Sequence, residues 1–267
     1  TTTAALAAAP FTSLLAQGIP PAVLRRIGIT TVCFRENFPA SLKLYGVKGK
    51  GGDMTLLTAP KFIADNLGLH NVEVWNAQFS ETTLDYCKKV KAAADAAGSK
   101  IINIQIDLPN DNLSDPDPAK RADTLKTLKE WIDRAQAVGA TSVRANTGAG
   151  PANGWDVKRT AEGFRQLSAY GKPKGVMILI ENHIGYSADI DKVVQLVKEV
   201  NDPNVRCICD WGNSPANGTL QDKINALSKM FPYTHLCSAK KLDFDDSNKH
   251  SSYDIVPIVK EIGRAHV

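Results

Sequence analysis

Short apolar runs and amphipathic stretches alternate along almost the whole chain. Val176-Met177-Ile178-Leu179-Ile180 is too short for a buried helix, follows Gly175 and stops at Glu181-Asn182-His183. That pattern predicts a strand buried on both faces. Cys207-Ile208-Cys209-Asp210-Trp211-Gly212-Asn213 repeats it. Further strands are predicted at Gly28–Phe34, Val72–Trp75, Ile101–Asp107, Ser142–Asn146 and Tyr233–Ala239.

Between the strands the apolar period lengthens to that of a helix. Helices are predicted at about Leu56–Asn66, Thr82–Ala97, Ala119–Val138, Val157–Tyr170, Leu220–Phe231 and Tyr253–Ile262. Another, N-capped by Ser187, carries Ile190, Val193, Val194 and Val197 on one stripe. Gly98 and Gly139 sit where helix C-termini favour glycine.

Strands alternating with such helices make βαβ units and a parallel sheet. Units repeated without an interior linker over residues 21–260 predict one domain, a (β/α)8 TIM barrel truncated before the eighth strand. No Gly-x-Gly-x-x-Gly follows the first strand and no Gly-Lys-Ser/Thr loop occurs, which ranks nucleotide-binding sheets lower.

Composition changes this picture little. The 267 residues suit a single barrel, which takes about 250. A net charge of +4 with scattered basic residues gives no reason to expect nucleic acid, and no apolar run approaches the roughly 20 residues of a membrane span. Lys88-Lys89 with Lys91, and the Lys48/Lys50 loop, read as solvated faces. The five cysteines, odd in number and without a Cys-x-x-Cys, read as small buried hydrophobes.

Both ends depart from the pattern. Thr1–Gln17, rich in Ala, Leu and Thr, is expected to be the remnant of an export signal of twin-arginine type, or else a short lead-in over residues 1–20. The first reading places the protein in the periplasm, the second in the cytoplasm. Glu261–Val267 reads as a non-native tail resembling a translated sequencing adaptor, so the natural chain is expected to continue past Lys260 and the present one to lack activity.

Strand parity sorts the polar side chains. With Ile102, Ile104 and Ile106 facing helices, Asn103, Gln105 and Asp107 face the barrel axis; Glu73, Arg144, Asn146, Glu181 and Asp210 join them. Most lie at C-terminal strand ends, where barrels of this kind carry their active sites. Buried carboxylates need partners. Arg144 with Glu73 is either a structural ion pair or a substrate contact, and Gln105 and Asp107 are either site residues or loop caps. Trp75 and Trp211 are either core or stacking platforms for a sugar ring. His183, two residues past Glu181, is a candidate site residue. His70 and His250 are expected in solvent, His235 against a helix.

ILIENHIG after the fifth strand, CDWGN after the sixth and CSAKKLDFD on the seventh together resemble the sugar phosphate isomerase/epimerases of the xylose isomerase-like TIM-barrel superfamily, over about Arg26–Lys260. The Ser-Ala-Lys variant resembles an exported branch. The resemblance implies a carbohydrate substrate and metal-assisted proton transfer next to a carbonyl, through an enediolate. It also implies a divalent metal (Mn, Mg, Co or Zn) held by Glu181 and Asp210, with Ser238 standing where the family has a His ligand. Glu181, His183 and Lys240 would be catalytic. Glu73, Trp75, Gln105, Asn146, Trp211 and Asn213 would contact substrate. Lys240 could compensate for an absent cation. A lyase or dehydratase on the same barrel, a non-catalytic sugar-binding barrel and, less favoured for want of histidines, an endonuclease-like phosphodiesterase are the alternatives. A homo-oligomer is compatible with each.

Overall fold

The computed structural model describes residues 20–45, 51–148, 154–213, 218–240 and 253–265. Thr1–Gln17, the Lys48/Lys50 loop, His250, His266 and the end of CSAKKLDFD lie outside them. Two compact units share the chain: Thr1–Gln105 with Arg134–Thr141, and Ile106–Asp133 with Ser142–Val267.

The first unit carries β1 (Gly28–Thr30), β2 (Asn71–Trp75) and β3 (Lys100–Gln105), paired in parallel in chain order. The second carries β4 (Ser142–Arg144), β5 (Met177–Glu181), β6 (Val205–Asp210) and β7 (Thr234–Ser238), also parallel and in chain order. The helices are α1 (Pro21–Leu24), α2 (Pro39–Tyr45), α3 (Ala59–Leu67), α4 (Leu84–Ala96), α5 (Pro118–Val138), α6 (Val157–Gly171), α7 (Ile190–Val200), α8 (Leu220–Ser228) and α9 (Val256–Ala265). This is the βα alternation of a (β/α)8 barrel carried through its seventh strand, as the apolar pattern predicts.

Local chemistry moves several boundaries. The strand expected at Gly28–Phe34 stops at Thr30 and continues as a 3-10 turn over Thr31–Asn37. Gln78 causes the change: its Nε2 donates to the Thr31 carbonyl at 2.9 Å and its Oε1 accepts from Thr31 Oγ1, so the Thr31 carbonyl is taken by a side chain. Ser187 does not cap α7. It belongs to a 3-10 turn, and Asp189 caps instead, its Oδ1 accepting from the amides of Asp191 and Lys192. α8 ends at Ser228, and Phe231–Tyr233 forms a separate 3-10 turn ahead of β7. α1 and α2, absent from the sequence reading, are short and start at prolines, which suit the first helical position.

The stripes fall where the periodicity puts them. Ile190, Val193, Leu196, Val197 and Val200 of α7 are buried, while Val194 is only half-buried. β5 is apolar up to Glu181 and buried from Ile178 on. Gly171 at the end of α6 comes so close to β5 that a Cβ there would stand 2.6 Å from the Val176 carbonyl oxygen. Cys87, Cys207 and Cys209 are buried as expected, but Cys33 and Cys237 are exposed, because the 3-10 turn takes Cys33 out of β1 and β7 buries little on that side. His235 on the same face of β7 is exposed too, not packed away under a helix.

Candidate active site

Every polar residue that strand parity turns to one side in the second unit is found in one hydrogen-bonded group. Arg144, at the end of β4, is 1% exposed. One terminal nitrogen of its guanidinium donates to Asp107 Oδ1 at 2.6 Å, Asn146 Oδ1 at 2.7 Å and the Ile106 carbonyl at 2.9 Å. Its Nε lies 3.0 Å from Glu181 Oε2, so one cation serves two carboxylates. A buried guanidinium is tolerable only on such terms. Asn146 Nδ2 also donates to Asp107 Oδ1, at 3.0 Å. Burial alone would raise the Asp107 pKa; Arg144 and these hydrogen bonds outweigh it and hold the carboxyl well below the usual range.

Glu181 and Asp210 end neighbouring strands and are joined through Asn213. The Asn213 amide donates to Asp210 Oδ1 at 2.8 Å and its Nδ2 approaches Glu181 Oε1 at 3.4 Å. Gly212 adds a second amide to Asp210 Oδ1, and Ser238 Oγ donates to Asp210 Oδ2, both at 2.8 Å. Asn182 lies behind them. Its side chain accepts from the Asp210 amide and donates to the Asp210 carbonyl, each at 2.8 Å, extending the β5–β6 ladder by a side chain. Lys240 Nζ donates to Asn213 Oδ1 at 2.7 Å, and its carbonyl takes the Tyr253 hydroxyl.

His183 is half-buried, and its Nδ1 is enclosed without a hydrogen-bond partner. Burial, with help from Arg144 and against Asp107, pulls its pKa down to about 4, so the ring is neutral at pH 7. Of the other candidates, Glu73 accepts from Asn103 Nδ2 at 2.8 Å and Gln105 Nε2 at 2.7 Å in the first unit, a network on one face of β2 and β3. Arg144, weighed as a partner for Glu73, has Asp107 and Glu181 as ion-pair partners in its own unit. Trp75 and Trp211 are 9% and 5% exposed, which puts both in the core.

One residue the sequence reading passed over feels the charges of this group. Asp111, in the loop after β3, has a buried Oδ2 without a hydrogen-bond partner, and burial together with Asp107 raises its pKa to about 7 against the pull of Arg144. It lies in a segment whose Pro and Asp content reads as loop punctuation, with no periodicity to say which way a side chain points. A cavity of about 260 Å³ between α5 and α6, lined by Leu113, Leu125, Arg121 and Arg159, is built by other residues than this group.

Of the ligand set that the resemblance implies, Glu181 and Asp210 are in place and Ser238 stands where the His would be. Glu181 and Asp210 each face donors with both oxygens: Arg144 and Asn213 for the first, two amides and Ser238 for the second. Ser238 donates a proton where a His would offer a lone pair. Among the described residues no group of three or more His, Cys, Asp or Glu could hold a metal ion. Among the described residues, Arg144, Lys240 and Lys223, the last bonded to the Trp211 carbonyl at 2.9 Å, bring positive charge to this group.

No curated protein matches the chain. Among solved structures it is similar to a xylose isomerase domain protein from Planctomyces limnophilus (18% identity, TM-score 0.62, covering 77% of this chain and 81% of that one). It also resembles a xylose isomerase-like TIM barrel protein from Mycobacterium smegmatis solved with magnesium (18%, 0.64, 93% and 88%). A third is the 3-keto-D-glucoside 4-epimerase of E. coli (14%, 0.63, 80% and 84%). At such identities these likenesses speak for the fold. The profile of one family, described as xylose isomerase-like TIM barrel, matches residues 63–260, and with the strand order and the strand-end carboxylates already seen, the chain belongs to that family.

Proposed function

We propose that the protein is an isomerase or epimerase of a sugar or sugar phosphate, moving a proton on a carbon next to a carbonyl. The observation that carries this is Glu181: a buried carboxylate at a C-terminal strand end, with Arg144 beside one oxygen and Asn213 at the other. Structures named for sugar epimerases share the fold and support the class.

In this account Glu181 takes the proton and the electron pair moves onto the carbonyl oxygen. With Ser238 standing where a third ligand would be, the charge that develops is met in this reading by the chain's own groups. Lys240 Nζ has donors left beyond its bond to Asn213 and can bind a hydroxyl or phosphate oxygen. The neutral His183 ring can serve a sugar hydroxyl through Nδ1. Asp210, tied by three donors, positions Asn213 and through it Lys240. Export to the periplasm, read from residues 1–17, belongs to the same proposal and is checked by fractionating cells that express the full-length protein.

The test is solvent deuterium incorporation into a panel of free and phosphorylated sugars by the full-length protein, with and without a chelator. Exchange at a carbon next to the carbonyl, retained with chelator and lost in Glu181→Gln, is the expected result. Tight sugar binding without exchange would favour a non-catalytic sugar-binding barrel, the reading to which Ser238 lends weight.

A further inference from the structure

We infer that the cavity between α5 and α6 binds a small organic anion: an oxyanion head, carboxylate or phosphate monoester, held by Arg121 and Arg159, with a short apolar body against Leu113 and Leu125. The site is independent of the chemistry proposed for Glu181.

The cavity is open to such a ligand. Leu113 and Gly163 form a buried floor, while Glu162 and Gln166 form an exposed rim. Gly163 is what lets the floor close: a Cβ there would stand 3.1 Å from Leu113 Cδ2, so Leu113 packs directly on the backbone of α6. Its volume of about 260 Å³ falls just short of the roughly 300–1,000 Å³ of sites for drug-sized ligands, which limits the occupant to a body of a few carbons.

The charges on the walls are unbalanced. Arg121 and Arg159 lie near the N-termini of α5 and α6, where a cation faces the positive end of the helix dipole. Neither helix has an acidic residue in its first turn to offset this. An anion between the two guanidiniums would. The loop before α5 already holds both in place. Arg121 Nη1 donates to the carbonyls of Asp115 and Pro116 at 2.6 and 3.0 Å, and Arg159 Nε to that of Ser114 at 3.0 Å.

Those bonds leave donors over. A guanidinium has five N–H groups, and Arg121 spends only those of Nη1. Its Nε–Nη2 edge, the kind that makes two parallel bonds to a carboxylate or phosphate, has no partner among the described residues. Arg159 meets a carboxylate only at 3.4 Å, from Nη2 to Asp156 Oδ2, and its Nη1 is uncommitted among the described residues. Glu162, the one acid of the lining, is engaged elsewhere: Oε1 accepts from Gln166 Nε2 at 3.2 Å and Oε2 lies 3.5 Å from Arg165 Nη1. Two pre-positioned forks beside leucine side chains suit an oxyanion that carries hydrocarbon better than a fully hydrated inorganic one, since each methylene placed against them leaves water.

The test is an amide-detected NMR titration of the full-length protein with butyrate, glycerol phosphate and inorganic phosphate. Butyrate or glycerol phosphate is expected to shift the Gly163 and Leu125 amides saturably, at least ~10-fold more tightly than inorganic phosphate, and the tighter of the two identifies the head group. Arg121→Lys, which keeps the charge and loses the fork, and Arg159→Gln are each expected to weaken that binding at least ~10-fold. Absence of a saturable shift at these amides with all three probes overturns the inference. So does inorganic phosphate binding as tightly as either organic anion, or binding unchanged in both variants. Shifts at Gly212 and Asn213 instead would assign the anion to the candidate active site and overturn it as well. Location is decided on the parent alone, whatever the stability of the variants.

Discussion

Arg144 is the residue on which the site's electrostatics turn. Parity placed Asp107, Arg144 and Asn146 on one side, and there they meet, because alternation survives wherever a strand is buried on both faces. Arg144→Met removes the shared counter-charge of Asp107 and Glu181, and loss of one partner of a buried pair costs about 3–5 kcal/mol. Arg144→Lys keeps the charge but not the fork and should recover less than half of that. Urea unfolding of both variants is the check; a lysine variant as stable as the parent would contradict the role given to the guanidinium.

His183 and Asp111 make opposite demands on pH. The folded pKa of His183 lies near 4 against 6.5 free, so its stabilisation is complete above pH 6.5 and is lost as pH falls toward 4. Asp111 is raised to about 7 from 3.8, so its contribution is complete below pH 3.8 and is lost as pH rises through 7. Between pH 4 and 6.5 the slopes oppose each other in the parent. His183→Gln should therefore gain on the parent as pH falls from 6.5 to 4, and Asp111→Asn as pH rises from 5 to 8, each by roughly 1–2 kcal/mol. Melting curves that stay parallel to the parent's across both windows would refute these shifts. Neither orphaned atom was legible in the sequence. His183 stood out only by its distance from Glu181, and Asp111 not at all, since loop residues carry no period from which to infer direction.

At the scale of elements, what could be read was the run of strands and helices, and what could not was where side chains interrupt them. Gln78, distant in sequence, ends β1 early by taking the Thr31 carbonyl. Asn182 does the reverse, lending β5 and β6 one more rung around Asp210. Such side-chain-to-backbone bonds leave no mark on hydrophobic periodicity. Two glycines show how closely the elements approach. A Cβ on Gly212 would stand 2.8 Å from the Lys240 carbonyl oxygen and 3.0 Å from Lys240 Cβ. Gly212→Ala should push the Lys240 segment away and weaken sugar binding about tenfold with little change in stability. Gly171→Ala, 2.6 Å from the Val176 carbonyl, should instead destabilise by roughly 1–3 kcal/mol and leave binding unchanged. Calorimetric titration beside thermal melts separates the two, and the same phenotype from both would undo the distinction.

For the whole molecule, the barrel class followed from the alternation of short apolar runs with longer amphipathic ones, and the family profile agrees over residues 63–260. The strand-end carboxylates were legible for the same reason: an apolar run that stops at an acid is visible in any strand buried on both faces. Their surroundings were not. That Ser238 donates to Asp210, and that Arg144 stands by Glu181, depends on contacts between strands, which no single run encodes.

In the proposed chemistry Glu181 moves a proton on a sugar carbon next to a carbonyl, with the chain's own cations for support. The most direct measurement is deuterium uptake from heavy water into a sugar panel by the full-length protein in the presence of chelator, followed by NMR. Label is expected at the carbon next to the carbonyl, with a loss of at least ~1000-fold in Glu181→Gln. Label that appears only when Mn²⁺ or Mg²⁺ is restored, or persists undiminished in Glu181→Gln, would contradict it.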